Sequence, residues 1–150
     1  IFLNLARSRL NYFPIIGCFH TGVILPSNAA PMPRDPNPPV GILLDDKFPG
    51  IFSRILSDNP AVHDGALMFG RTRTDENYMV TGWSFRLYPP PNAGPSEVNR
   101  GSAFNSCLSM SAVARVDWVF LASEFSVYQF ASGVLRKEIS AEYTEIALAN

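Results

Sequence analysis

This sequence predicts a mixed central β-sheet flanked by helices, an α/β (α+β) fold. Three observations carry that expectation. Apolar runs of strand length and segments with helical spacing of apolar residues both occur, without strict alternation. Two proline-rich stretches, Pro26 to Pro39 and Pro89 to Ser96, divide them as loops, because proline donates no backbone hydrogen bond. The balance of 47% hydrophobic and 17% charged residues over 150 positions is globular, and the length suits a single domain with its own core.

Taken in order, Ile1 to Tyr12 reads as an amphipathic helix with Phe2, Leu5, Arg9 and Leu10 along its length, broken by Pro14. Phe13 to Phe19 is a short apolar run that predicts a buried strand. After the first proline-rich loop a second apolar run, Val40 to Leu44, ends at Asp45 and Asp46. Phe48, Ile51, Phe52 and Ile55 recur at helical spacing and predict a helix from Phe48 to Ser57, with Pro49 in its first turn. Asn59-Pro60 is a stop signal. Ala66 to Phe69 and Tyr78 to Tyr88 read as strands around a polar hairpin segment at Thr74 to Asn77. Ser102 is the expected N-cap of a helix of small residues from Ala103 to about Arg115. Asp117 to Ser123 and Ser126 to Ala131 follow as strands, and Ser132-Gly133 turns the chain into Val134 and Leu135. Ser140 is the expected cap of a last helix with Tyr143, Ile146 and Ala147 on one side.

Charge and composition exclude several functions. A net charge of −1 supplies no global positive field for a nucleic-acid backbone, so no nucleic-acid partner is expected. No apolar run approaches the ~18 residues needed to span a bilayer, and Arg7 and Arg9 interrupt the first segment, so neither a membrane segment nor a signal peptide is expected. The chain does not begin with Met and reads as part of a longer one, with room for a fused effector module. Cys18 and Cys107 form no C-x-x-C pair and have no ligand-spaced histidine, which argues against zinc; both read as small hydrophobes in a cytoplasmic protein. Asp45 and Asp46 lack a third acid at calcium-loop spacing and read as a solvated loop end, while Arg71 and Arg73 read as surface cations. Trp83 and Trp118 are core or interface residues by size.

The most informative passage is Asn59-Pro60-Ala61-Val62-His63-Asp64-Gly65-Ala66-Leu67. A turn delivers a histidine and a carboxylate to the edge of a strand, with Gly65 at the tight join. Gly101-Ser102 later opens the small-residue helix, whose start offers free amides and a positive dipole end to an anion. These are the parts of a phosphate site with a carboxylate beside it. The same residues also fit an ordinary Asp turn and a plain helix start.

The passage resembles the diadenylate cyclase (DAC) family, whose domain condenses two ATP molecules into cyclic di-AMP at a face-to-face dimer interface. The family's Asp-Gly-Ala motif after a Pro-x-x-His turn is similar to Pro60 to Ala66, and its Gly-Thr-Arg-His-Arg motif to Gly101-Ser102-Ala103-Phe104-Asn105. The apolar continuation of that helix is similar to Ser106 to Ser111, the Val-Ser-Glu-Glu strand end to Ala122-Ser123-Glu124-Phe125, and the closing Gly-x-Leu to Gly133-Val134-Leu135. The opening Leu5 to Phe19 is similar as well. The resemblance implies a DAC-like fold, a nucleotide ligand with Mg or Mn, and a homo-oligomer. Carried over by position, it implies ligand contacts from His63, Asp64, Gly65, Ala66, Arg100, Gly101, Ser102, Asn105, Ser123 and Glu124, with Asp64 as metal ligand and, in an active enzyme, as catalytic residue.

The departures shape the expected function. The family's Arg-His-Arg triplet contacts the ATP phosphates, yet Ala103, Phe104 and Asn105 carry no cation. One transition-state arginine is worth roughly 10³–10⁵ in rate. Arg100 is then the candidate substitute cation, and Phe125 replaces the second glutamate. Phe104 and Phe125 fit either a collapsed pocket or a stacking wall for a base. The leading expectation is a non-catalytic nucleotide or cyclic-dinucleotide sensor; the alternatives are an active diadenylate cyclase and an oligomerisation scaffold with a filled pocket.

Overall fold

The computed structural model describes residues 1–7 and 12–140. Its elements are α1 (Phe2–Arg7), β1 (Ile15–Thr21), β2 (Ala29–Pro31), α2 (Phe48–Asp58), a 3-10 turn (Pro60–His63), β3 (Ala66–Arg71), β4 (Met79–Leu87), α3 (Ser102–Met110), β5 (Val116–Ala122), β6 (Ser126–Ala131) and β7 (Val134–Ser140). The strands form one seven-stranded sheet in the order β2-β4-β3-β1-β5-β6-β7. Only the central pair, β1 and β3, runs parallel; every other pairing is antiparallel. The fold is therefore the mixed sheet with flanking helices that the element pattern predicts.

Alternation along β1 separates two cores. Ile15 and Phe19 face α1 and α2, where Phe2, Leu5, Phe48, Phe52, Leu56, Phe69 and Trp83 are buried. Cys18 faces α3, packed with Phe104, Cys107, Met110, Met68, Val119 and Phe130. In α2 the buried Phe48, Phe52 and Leu56 recur every fourth residue, and each buried side chain of this size is worth about 1.5–3 kcal/mol. The Phe48 and Phe52 rings lie nearly parallel to Trp83, with centroids 6.4 and 6.2 Å away. Gly17 leaves space for the Phe2 ring, which a Cβ would strike. Burial pushes the Cys18 thiol up to about 12 and raises Cys107 as well, so both behave as small hydrophobes.

Several boundaries differ from the sequence expectations. Helix α1 is six residues long; Arg9 and Leu10 lie outside the described residues, as do Tyr143, Ile146 and Ala147. Strand β2 lies inside the first proline-rich stretch, where an all-loop segment was expected. It is an edge strand paired only with β4, the position in a sheet where proline is tolerated. Val40 to Leu44 makes a single bridge, Leu43 to Met79. Helix α3 is capped by Gly101, so Ser102 is its first helical residue and makes no capping bond; it ends at Met110, well before Arg115. Ser140 is the last residue of β7, the other end strand of the sheet, and the helix expected after it lies outside the described residues. Among the described residues no helix is long and apolar enough to cross a membrane.

This topology gives the sheet two distinct ends. β1 and β3 start at one end, β4 and β5 finish there, and α3, which follows β4, begins there. At the other end β1 and β3 finish and β4 and β5 start.

Candidate functional site

At the first end a cleft of about 370 Å³ is lined by His63, Asp64 and Gly65 from the turn before β3, by Phe85, Arg86 and Leu87 from β4, and by Ser102, Ala103 and Ser106 from α3. Phe13, Pro14, Ile16 and Met32 complete an apolar floor. The two patches that the sequence separates by about forty positions thus face one space.

The turn owes its shape to local chemistry. Asn59 ends α2 and accepts a hydrogen bond from the Ala61 amide at 3.2 Å, starting the 3-10 turn. The Pro60 carbonyl can only accept, so the 2.6 Å contact places a proton on His63 Nδ1. In the neutral ring Nε2 is then an acceptor. The ring also lies 5.0 Å from that of Tyr12. Gly65 sits at φ +92°, and a Cβ there would stand 2.6 Å from Met32 Cε and 2.9 Å from the Phe85 carbonyl oxygen. Only glycine suits this join.

Residues that sequence reading missed hold the turn in place. Arg34, from the first proline-rich stretch, donates through Nε to the Ala61 carbonyl at 2.8 Å and to Ser84 Oγ at 3.0 Å. Its Nη2 donates to the Asp64 carbonyl at 3.3 Å and stands 3.5 Å from Asp64 Oδ2. Ser84, fully buried at φ +55°, donates its hydroxyl to the Val62 carbonyl at 3.0 Å. The Arg34 side chain is only 12% exposed, whereas that of Asp64 is 71% exposed. Asp64 is therefore supported from behind and open in front. The available signals were an isolated cation among prolines, for Arg34, and the lone charge of an apolar strand, for Arg86.

The remaining site candidates divide. Ala66 is fully buried at the start of β3 and packs in the α3-side core. Gly101 caps α3 beside the cleft-lining Ser102. Arg100 does not line the cleft: its guanidinium lies 4.6 Å over the Phe104 ring and 3.9 Å from Glu97 Oε2. Asn105 is occupied by the preceding loop, accepting from the Glu97 amide at 2.8 Å and donating to the Arg100 carbonyl at 3.2 Å. Ser123 closes the β5–β6 turn with Ser126, and Glu124 is exposed on that turn; neither lines the cleft, although Ala122 places them at the same end of the sheet. Phe104 is buried edge-on against Phe130, with centroids 4.9 Å apart, while Phe125 is 64% exposed. The two phenylalanines thus do not plug the cleft together.

For a divalent metal the cleft offers one carboxylate, Asp64, and among the described residues no group of three or more His, Cys, Asp or Glu could hold an ion. Asp64 is chemically suited to a hard cation that brings its other oxygen ligands from phosphate and water.

The opposite end is chemically closed. Asp117 Oδ2 accepts from Thr21 at 2.6 Å and from Tyr78 at 2.7 Å, with Arg71 Nη2 3.8 Å away. Burial first, and then the bond to Asp117, push the Tyr78 hydroxyl up to about 12. Arg71, expected at the surface, is instead a member of this network, donating to Thr21 Oγ1 at 2.9 Å. Arg73 does lie at the surface, paired with Asp75.

The seven-stranded mixed sheet with helices on both faces is consistent with a diadenylate-cyclase-like fold. No family model matches the chain, and no curated protein matches it. Among solved structures it is similar to a double cysteine mutant of DacA from Staphylococcus aureus, with a TM-score of 0.59 and 16% identity over 93% of this chain and 82% of that one. It is also similar to a hypothetical membrane spanning protein from Bacillus cereus, with a TM-score of 0.56 and 14% identity over 89% of this chain and 60% of that one. Likeness at this identity establishes the fold.

Proposed function

We propose that this chain is a nucleotide or cyclic-dinucleotide sensor domain that binds its ligand in the cleft and does not turn it over. The observation that carries the reading is the meeting of an exposed Asp64 with the start of α3, which has no side-chain cap, across an open space floored by apolar side chains. Apolar walls suit a base, and free helix-start amides suit a phosphate. A divalent ion, Mg or Mn, would arrive with the nucleotide and meet the chain at Asp64. The absence of turnover is inferred from Ala103, Phe104 and Asn105, none of which brings a cation to the helix start; Arg100 is committed to Phe104 and Glu97. Charge neutralisation is the main protein contribution to phosphoryl transfer, so a cleft whose lining holds, among the described residues, one guanidinium, that of Arg86, favours holding over joining.

Calorimetric titration with ATP, GTP and cyclic dinucleotides tests the reading. At least one should bind and raise the melting temperature, with about 2.7 kcal/mol of stabilisation at a hundredfold excess over Kd. Folded protein that binds none of them would refute it. Cyclic di-AMP formed from ATP and manganese, and lost in Asp64→Asn, would establish the cyclase alternative instead.

A further inference from the structure

Arg86 is the one guanidinium among the described residues lining the cleft. It is also the only charged residue of β4, an otherwise apolar and small-residue strand. Its Nη2 stands 3.9 Å from Met32 Sδ, a weak acceptor, and among the described residues it has no carboxylate partner. The cleft's own acid, Asp64, is already 3.5 Å from Arg34. Arg34 offsets the Asp64 charge, and Arg86 is left as uncompensated positive charge facing the space.

The strand geometry explains why it stands there. β4 runs antiparallel to β3, so its last residues lie beside the first residue of β3, Ala66, which follows the Asp64-Gly65 turn. Ala30 of the edge strand β2 is the direct partner of Arg86 and is too small to screen it. Phe85 and Leu87 flank it in the cleft lining, so a ligand with an apolar body would bring its charged end to the guanidinium.

We propose that Arg86 is the cation that recognises phosphate in this cleft, replacing by position what the helix start lacks in charge. The proposal rests on the sensor reading for its ligand class, a phosphorylated nucleoside, but not for the anion contact itself. Arginine suits the task because its fork grips two phosphate oxygens at once. Arg86 then discriminates between ligands: it favours a nucleotide over the bare nucleoside, whose affinity depends on the apolar floor alone.

The test compares the wild-type chain with Arg86→Gln and Arg86→Lys, titrated with inorganic pyrophosphate, ATP and adenosine. Arg86 is exposed on its strand, so both variants should fold, as circular dichroism will verify. The expected result is pyrophosphate and ATP binding weakened about tenfold or more in Arg86→Gln, partly restored in Arg86→Lys, with adenosine unchanged. Unaltered ATP binding in Arg86→Gln would overturn the assignment and leave the sensor reading standing. Arg86-dependent pyrophosphate binding without any gain from the nucleoside would uphold Arg86 and overturn the nucleotide reading. Wild-type protein that binds none of the three would overturn both.

Discussion

The two ends of the sheet are built from similar residues and use them in opposite ways. Where β1 and β3 finish, Arg71, Asp117, Tyr78 and Thr21 satisfy one another, and Asp117 alone receives two hydroxyl hydrogen bonds. Where β1 and β3 begin, Asp64 is held by Arg34 but 71% exposed, and Arg86 has no acid partner among the described residues. Partly buried polar groups that satisfy one another contribute to stability, whereas exposed groups left over at a cleft are free to meet a ligand. On the proposed function, stability belongs to one end and recognition to the other.

The largest expected effect comes from breaking the closed end. Asp117→Ala strips Thr21, Tyr78 and Arg71 of their shared acceptor and should cost about 3 kcal/mol in urea unfolding. Cleft binding in the variant should be unchanged while it stays folded. Next is Gly65→Ala at the open end, where positive φ and the Met32 and Phe85 contacts should together cost about 2 kcal/mol. This substitution should also weaken ligand binding, because it displaces the Asp64 turn. Asp64→Asn sharpens the contrast: its unfolding free energy should change by less than about 0.5 kcal/mol, as for other exposed positions, while nucleotide affinity falls.

The smallest effect is a pH slope from the closed end. The Thr81 hydroxyl donates to the Met68 carbonyl, so it accepts from His20 Nε2, which carries the ring proton. Burial, partly opposed by Asp117, lowers the His20 pKa below 6.5. The unfolded chain therefore takes up this proton first. The His20 contribution is full above pH 6.5 and is lost as pH falls from there toward the lowered native value. Melting curves of His20→Asn should show a flatter pH dependence than wild type over that interval; an unchanged slope would mean that His20 is not held neutral.

Local signals made much of the fold legible. The Phe48, Ile51, Phe52, Ile55 spacing marks α2 because its aromatic face meets Trp83 and Phe69, so periodicity and packing agree. β2 was hidden because prolines argue against a strand unless it is known to be an edge, and edges are set by the whole sheet. The end of α3 was misplaced because small residues continue past Met110 while the backbone does not. In the site, the His63-Asp64-Gly65 turn was legible from its residue types, since a left-handed glycine after a capped 3-10 turn is a local arrangement. Arg34, Ser84 and Arg86 were not, because only the β2–β4–β3 neighbourhood brings the first two to the turn and Arg86 to the same cleft. Asn105 ends the motif that begins at Gly101, Arg100 precedes it, and the structure commits both to the loop and helix start there.

Amide chemical-shift mapping during an ATP titration tests the division of labour most directly. The account predicts that the strongest perturbations fall on residues 63–65, 86–87 and 102–106, with Thr21, Arg71, Tyr78 and Asp117 unmoved. Perturbations centred on that second group, or none at the cleft under saturating ATP, would contradict it.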